Sequence, residues 1–116
     1  MDTTALPGLS SSLLDEARAD SAHRAARTIC GGSGHVLRQT AIALLAESTL
    51  SDHENPGEAT LQVLVGRVRV TWADDAVDLD AGGHLVIPQQ RHGLVALTDA
   101  VVLLTAAKAE AAVARA

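Results

Sequence analysis

A histidine and two glutamates lie around a Pro-Gly pair in the middle of the chain. The segment DHENPGEATLQVLVG contains His53, Glu54 and Glu58 and leads directly into the apolar run Ala59–Val65. Imidazole and carboxylate groups are ligands of divalent transition metals. The segment is therefore either part of a metal site at the end of a β-strand or an ordinary polar loop. The sequence as a whole favours the first reading, but it names no reaction.

The elements that must position these residues are short strands. In Arg67–Trp72 the side chains of Val68, Val70 and Trp72 alternate with polar ones, which is typical of a strand with one buried face. The sequence predicts a hairpin around the glycines of GGSG, and further strands at 59–65, 77–80, 84–88, 92–97 and 100–106. Six or more short strands separated by glycine-containing turns indicate an all-β sandwich or barrel.

Three regions are predicted along the chain. Residues 1–24 form an N-terminal extension with a short helix, residues 25–106 form the barrel, and residues 107–116 form an alanine-rich tail. Serines 10–12 are predicted to cap the helix, in which Leu13, Leu14 and Ala17 make a thin apolar stripe. We expect the helix to pack on the barrel or on a second subunit.

Composition excludes several classes of function. The chain of 116 residues has one Trp, no Tyr or Phe and a net charge of -5, so it lacks both the basic face and the aromatic rows of nucleic-acid-binding proteins. A single cysteine, Cys30, excludes an intrachain disulfide and fits a reducing cytoplasm. The start, MDTTALPG, has no features of a signal peptide, and no apolar run approaches the ~18 residues of a spanning helix. We expect a cytoplasmic protein with no membrane partner.

Two segments resemble the two sequence motifs of the cupin superfamily, especially its small single-domain members. They are HENPGEATLQVLVG and AGGHLVIPQQRHGLVAL, and the resemblance extends over about Arg24–Ala106. It implies a small jelly roll, also called a double-stranded β-helix barrel.

In the first motif, counting back from Gly66 places His53 at the family's first histidine and Asn55 at its second. The family's glutamate position is occupied by Ala59, and Glu58 lies one residue earlier.

In the second motif, Gly82 and Pro88 have the family's spacing, and His92 takes the position of the third histidine after a loop one residue shorter than usual. The family's Gly-Asp pair is replaced here by Gly82-Gly83.

The resemblance implies a divalent metal in the barrel, held by His53, His92 and Glu58 with the amide oxygen of Asn55 in support. Two imidazoles and one carboxylate fill one face of an octahedral ion and leave positions open. Iron, manganese, nickel and zinc all suit such a set. A metal-dependent enzyme is one possible outcome, but neither dioxygenase nor isomerase chemistry is assigned, and no catalytic residue is named. The other histidines, at positions 23, 35 and 84, are predicted to lie at the surface.

Three polar strand residues are candidates for binding a small-molecule ligand. Arg38 and Gln39 alternate on one predicted strand and Gln62 lies on another, so one or more of them would point into the barrel. The alternative, which is equally favoured, is that these side chains are exposed to solvent and do not point into the barrel.

Two other functions remain open. A metal-free small-molecule-binding or sensor cupin is favoured by the loss of the second histidine and of the glutamate. A structural dimerisation module would have its cavity filled by Leu61, Val63 and Val86. We also expect a homodimer, because jelly rolls often cover an open sheet edge by pairing.

Overall fold

The computed structural model describes residues 2–53 and 57–107, except for the side chains of residues 52 and 53. The part of the predicted tail beyond Ala107 lies outside these residues. Within them the chain forms one helix and nine strands: α1 Leu6–Ala19, β1 Arg24–Cys30, β2 Leu37–Leu44, β3 Thr49–His53, β4 Ala59–Val65, β5 Arg67–Trp72, β6 Asp75–Asp80, β7 His84–Val86, β8 His92–Ala96 and β9 Ala100–Ala107.

The strands make two antiparallel sheets. The first has the order β1-β2-β9-β4-β7, and the second has the order β3-β8-β5-β6. Consecutive strands β4 and β5 belong to different sheets, so the chain changes sheet at the glycine between them. The predicted all-β architecture with a short N-terminal helix is confirmed.

That glycine, Gly66, has a φ of +79°. A Cβ atom at this position would collide with the carbonyl oxygen of Asp99. Both the backbone conformation and the close approach therefore require glycine.

Aliphatic side chains from both sheets fill the space between them. Because the described chain has no Phe or Tyr, this inner core consists of Leu, Val, Ile and Ala side chains. Its buried members are Leu44, Ala59, Leu61, Val63, Val68, Val70, Ile87, Leu94, Ala96, Ala100 and Val102. Removing these side chains from water is the main source of stability for the two-sheet body.

Helix α1 covers the outer face of the five-stranded sheet and forms a second cluster, the outer core. Leu13 and Ala17 of the helix are fully buried there. They pack against a floor of small and branched side chains: Ala41, Ala43, Val101 and Leu103. The predicted apolar stripe therefore packs on the barrel of the same chain.

The helix begins earlier than the serines indicate. It starts at Leu6, with Pro7 in its first turn and no side-chain cap at Ala5. Proline suits that position because its missing N–H is not needed there. The predicted serine cap is wrong, since Ser10 is buried within the helix. No helix in the described residues is both long and apolar enough to cross a membrane.

Candidate functional site

One histidine is buried at an end of the inner core. His92, the first residue of β8, is only 5% exposed. Its Nδ1 lies 2.9 Å from the carbonyl oxygen of Gln90. A carbonyl oxygen can only accept, so Nδ1 is the protonated nitrogen, and in a neutral imidazole Nε2 is then the acceptor. Metal-binding histidines are commonly oriented in this way.

The backbone brings His53 beside His92. Strand β3 ends at His53, which is the register partner of His92 in the antiparallel pair of β3 and β8. Opposite residues in such a pair have Cα atoms about 4.5–5.5 Å apart. On its other side His92 is the register partner of Trp72. We call this end of the two-sheet body the barrel mouth. The side chain of His53 lies outside the described part.

The two motif loops are joined by a hydrogen bond. Gln89 donates through Nε2 to the carbonyl oxygen of Gly57 at 3.1 Å. The next residue, Glu58, is exposed, and its carbonyl oxygen accepts from the backbone N–H of Ala107 at 2.9 Å. The hydrogen bond between Gln89 and Gly57 links the loop before His92 to the loop that contains the predicted carboxylate.

The proposed ligand set is only partly described. Asn55 lies outside the described residues. Among the side chains that are described, no group of three His, Cys, Asp or Glu residues could hold a metal ion. The four-residue set of His53, His92, Glu58 and Asn55 stays a prediction.

The interior of the barrel is nearly filled. A cavity of about 30 Å³ remains, and all of its lining is apolar except His92. The lining residues are Ile42, Leu50, Leu61, Val70, Ile87, His92, Gly93, Leu94 and Leu104. Such a volume holds about one or two water molecules, so an organic ligand does not fit inside the barrel in this conformation.

Solved structures share this architecture, although no family model and no curated protein matches the sequence. An RmlC-like cupin from Desulfovibrio desulfuricans is 25% identical with a TM-score of 0.64, over 72% of this chain and 81% of that one. A cupin 2 conserved barrel domain protein from Salinispora arenicola is 17% identical with a TM-score of 0.67, over 84% and 88%. The chain is a small cupin-fold domain.

A third structure extends this comparison to a protein whose own function is unknown. A conserved protein from Streptococcus pyogenes is 23% identical to this cupin, with a TM-score of 0.69 over 77% of each chain. The cupin fold predicted from the two motifs is therefore confirmed. At these identities the likeness concerns the fold, and the site must be argued from the residues of this chain.

The three residues predicted to bind a ligand lie away from the interior cavity of the cupin. Gln39 lies on the outer face, where its Nε2 donates to Oγ1 of Thr105 at 3.1 Å. Gln62 is exposed and is the register partner of His84, which is also exposed. Arg38 is exposed near the start of β2. None of the three lines the cavity.

Two of the three residues predicted to fill the interior do so. Leu61 and Val63 are buried in the inner core. Val86 is 70% exposed, so its predicted place in the interior is wrong. The reason is the alternation along β7, which turns Leu85 toward the core and leaves Val86 outside.

Two residues in the loop before His92 were missed by sequence reasoning. Gln89 and Gln90 act on the mouth through one side chain and one backbone carbonyl. The only available signal was their position directly before the motif histidine, and a backbone acceptor leaves no mark on residue type.

Two side chains with shifted pKa values, those of Arg69 and Asp78, lie on the four-stranded sheet. Arg69 donates to both carboxylate oxygens of Asp78, at 2.7 Å and 3.0 Å. These hydrogen bonds, helped by the attraction of opposite charges, lower the pKa of Asp78 and raise the pKa of Arg69. Arg67 adds a weaker attraction to Asp78. The charges form a cross-strand ladder between β5 and β6.

Proposed function

We propose that this cupin binds one divalent metal ion at the barrel mouth, through His92 and His53, with Glu58 and Asn55 as further ligands. The main support is the buried imidazole of His92, whose Nδ1 donates to a backbone carbonyl. A ring held in that tautomer offers Nε2 in the deprotonated form that a metal requires.

The donor types fit such an ion. The register pairing of His53 with His92 supports a shared site, because the two candidate ligands start from neighbouring backbone positions. Imidazole and carboxylate ligands suit iron, manganese, nickel or zinc. When bound, such a metal polarises an oxygen atom of a ligand as a Lewis acid. The chain would hold the ion, and on the inner side of the site it presents an aliphatic cavity lining.

The ligand of this site would be a small polar or carboxylate-bearing molecule. Because the interior cavity is about 30 Å³, such a molecule would approach the mouth from outside and would not enter the barrel. The reaction is unassigned. We place the protein in the cytoplasm, where its single cysteine stays reduced.

A metal-free cupin is the second candidate. The apolar lining of the interior favours it, since His92 is the single polar member of that lining. In this case the protein would bind a small molecule, or act as a sensor, without a metal.

We also propose a homodimer that uses the free edge of β1. Among the described strands β1 pairs only with β2. Its residues Ala26 and Thr28 are opposite Ile42 and Thr40, on the inner face, yet they are exposed because no strand of the second sheet covers them. An unpaired edge with an uncovered face is suited to pairing with a second copy. Sedimentation that shows only monomer at micromolar concentration would exclude this assembly.

A thermal-shift screen tests the metal proposal. The chain is heated with Mn²⁺, Ni²⁺ or Zn²⁺, with Fe²⁺ under anaerobic conditions, with Mg²⁺ for comparison, and with small carboxylic acids. A metal at 100 times its Kd stabilises the folded state by about 2.7 kcal/mol. We expect transition metals to raise the Tm of the wild type and of His84→Gln, but not of His92→Gln. A rise with organic acids alone would favour the metal-free candidate, and equal shifts in all three proteins would reject the site.

A further inference from the structure

A larger cavity lies outside the barrel, on the outer face of the five-stranded sheet. It has a volume of about 630 Å³, against about 30 Å³ for the interior. We call it the outer cleft. Its walls are the N-terminal arm at residues 2–5, the start of α1, the end of β1 and the sheet around Gln39. Small-molecule sites typically measure about 300–1,000 Å³.

We propose that the outer cleft binds a small uncharged organic molecule that has an apolar chain and a hydrogen-bonding head group. This site is independent of the proposed metal at the barrel mouth, because the lining residues of the two cavities are entirely different.

An irregularity in β1 shapes one wall of the cleft. The register between β1 and β2 shifts between Thr28 and Cys30, so the strand contains a bulge. A bulge changes the direction of side chains and is frequent beside binding sites. Here both Ile29 and Cys30 line the cleft, and Leu103 forms part of its apolar floor. An alkyl chain would be buried against these side chains.

A positioned amide provides the polar group. Gln39 is half-buried, and its Nε2 donates to Oγ1 of Thr105 at 3.1 Å. With Nε2 used in this hydrogen bond, Oε1 carries the acceptor capacity of the amide. An N–H or O–H of a ligand head group would donate to it.

The charges around the cleft favour a neutral ligand. The ionisable side chains among the described residues that line it include the carboxylate of Asp2 and the imidazole of His35, but no lysine or arginine. Helix α1 begins at Leu6, also in the lining, and a helix start has a partial positive charge. An anion would face the carboxylate and a cation would face the helix start. Since burying an unpaired charge is costly, an uncharged head group is preferred.

The single cysteine provides a reporter for the test. Cys30 lines the cleft and is partly buried, so a molecule in the cleft should slow its alkylation by iodoacetamide. The probes are hexanamide, hexanoate and hexylamine, which share a six-carbon chain and differ in the charge of the head group. The alkylation rate of the full chain is followed by intact mass.

We expect hexanamide to slow alkylation about fivefold at about four times its Kd, because only the unliganded fraction reacts. The two charged probes should protect far less at the same concentration. Protection by none of the probes, or equal protection by all three, would overturn the proposal.

Two matched variants test the role of the amide. Gln39→Met should raise the Kd of hexanamide about fivefold, the effect of losing one neutral hydrogen bond. Gln62→Met changes the same residue type on the same outer face but outside the cleft, and should leave the Kd unchanged. Cooperative thermal unfolding of both variants is required first. An equal Kd for the two variants would remove Gln39 from the site and overturn the assignment.

Discussion

The two faces of the five-stranded sheet are covered in different ways. On the inner face a second sheet packs against it, and the aliphatic side chains of both leave a cavity of only about 30 Å³. On the outer face a single helix of 14 residues covers the sheet, and a cleft of about 630 Å³ remains beyond its start. A second sheet can cover the whole face of a sheet, whereas a single helix covers only part of that face.

This difference separates the two candidate sites by chemistry. The interior cavity is lined by apolar residues except at the barrel mouth, where His92 meets the end of β3. The outer face combines an oriented amide with apolar walls. The first arrangement suits an ion and the second suits an uncharged organic molecule.

The largest expected effect is the loss of an inner-core side chain. Leu44 is fully buried between the sheets, so Leu44→Ala should lower the free energy of unfolding by about 4 kcal/mol. Leu37→Ala, on the same strand but 46% exposed, should change it by less than about 0.5 kcal/mol. Urea denaturation measures both. Similar values for the two would mean that the space between the sheets is not tightly packed.

A slightly smaller effect is expected where the chain passes from one sheet to the other. Gly66→Ala should destabilise the protein by about 3 kcal/mol, because the new Cβ meets the carbonyl oxygen of Asp99 at a positive φ. Gly82 also has a positive φ but has open space around it, so Gly82→Ala should cost only about 1 kcal/mol. If Gly82→Ala lowered the free energy of unfolding as much as Gly66→Ala, the positive φ alone would explain the loss of stability in both variants.

The outer core should be less sensitive than the inner core. Leu13→Ala removes a fully buried side chain under the helix, and we expect a loss of about 2–3 kcal/mol, because the helix can move to reduce the cavity. The same urea experiment compares it with Leu44→Ala. If Leu13→Ala lowered the free energy of unfolding more than Leu44→Ala, the outer core would be the more sensitive of the two, which would contradict this expectation.

The smallest effect concerns the charge ladder outside both cores. The pKa of Asp78 is lowered in the folded state, so its stabilisation is present above the unfolded value of about 3.9 and is lost as the pH falls through the lowered pKa. Asp78→Asn should therefore lower the Tm slightly at pH 7 and not at all in strong acid. Asp74→Asn, in the turn before β6, is the control. If the Tm of Asp78→Asn stayed below that of the wild type in strong acid, this ion pair would be excluded as the cause of the difference.

Much of the fold could be predicted from alternation and glycine turns, but one strand could not. Strand β3, Thr49–His53, contains Ser51 and Asp52 and lacks a β-branched run, so its strand conformation comes from pairing with β8. That pairing makes His53 the register partner of His92, so this geometry was also beyond local sequence reasoning.

The faces of the candidate ligand residues could not be predicted for a different reason. Along β2, Ala41 and Ala43 are buried under the helix while Leu44 is buried between the sheets. Both faces are apolar, so alternation gives two sets without saying which is inside. Gln39 shares the face of the alanines and therefore lines the outer cleft.

The metal content of protein purified without chelator tests the central claim most directly. Wild type and His84→Ala should each contain about one transition-metal ion per chain, while His53→Ala and His92→Ala should contain almost none. Wild-type protein with far less than one ion per chain, and no change in the two mouth variants, would contradict a metal centre formed by these histidines.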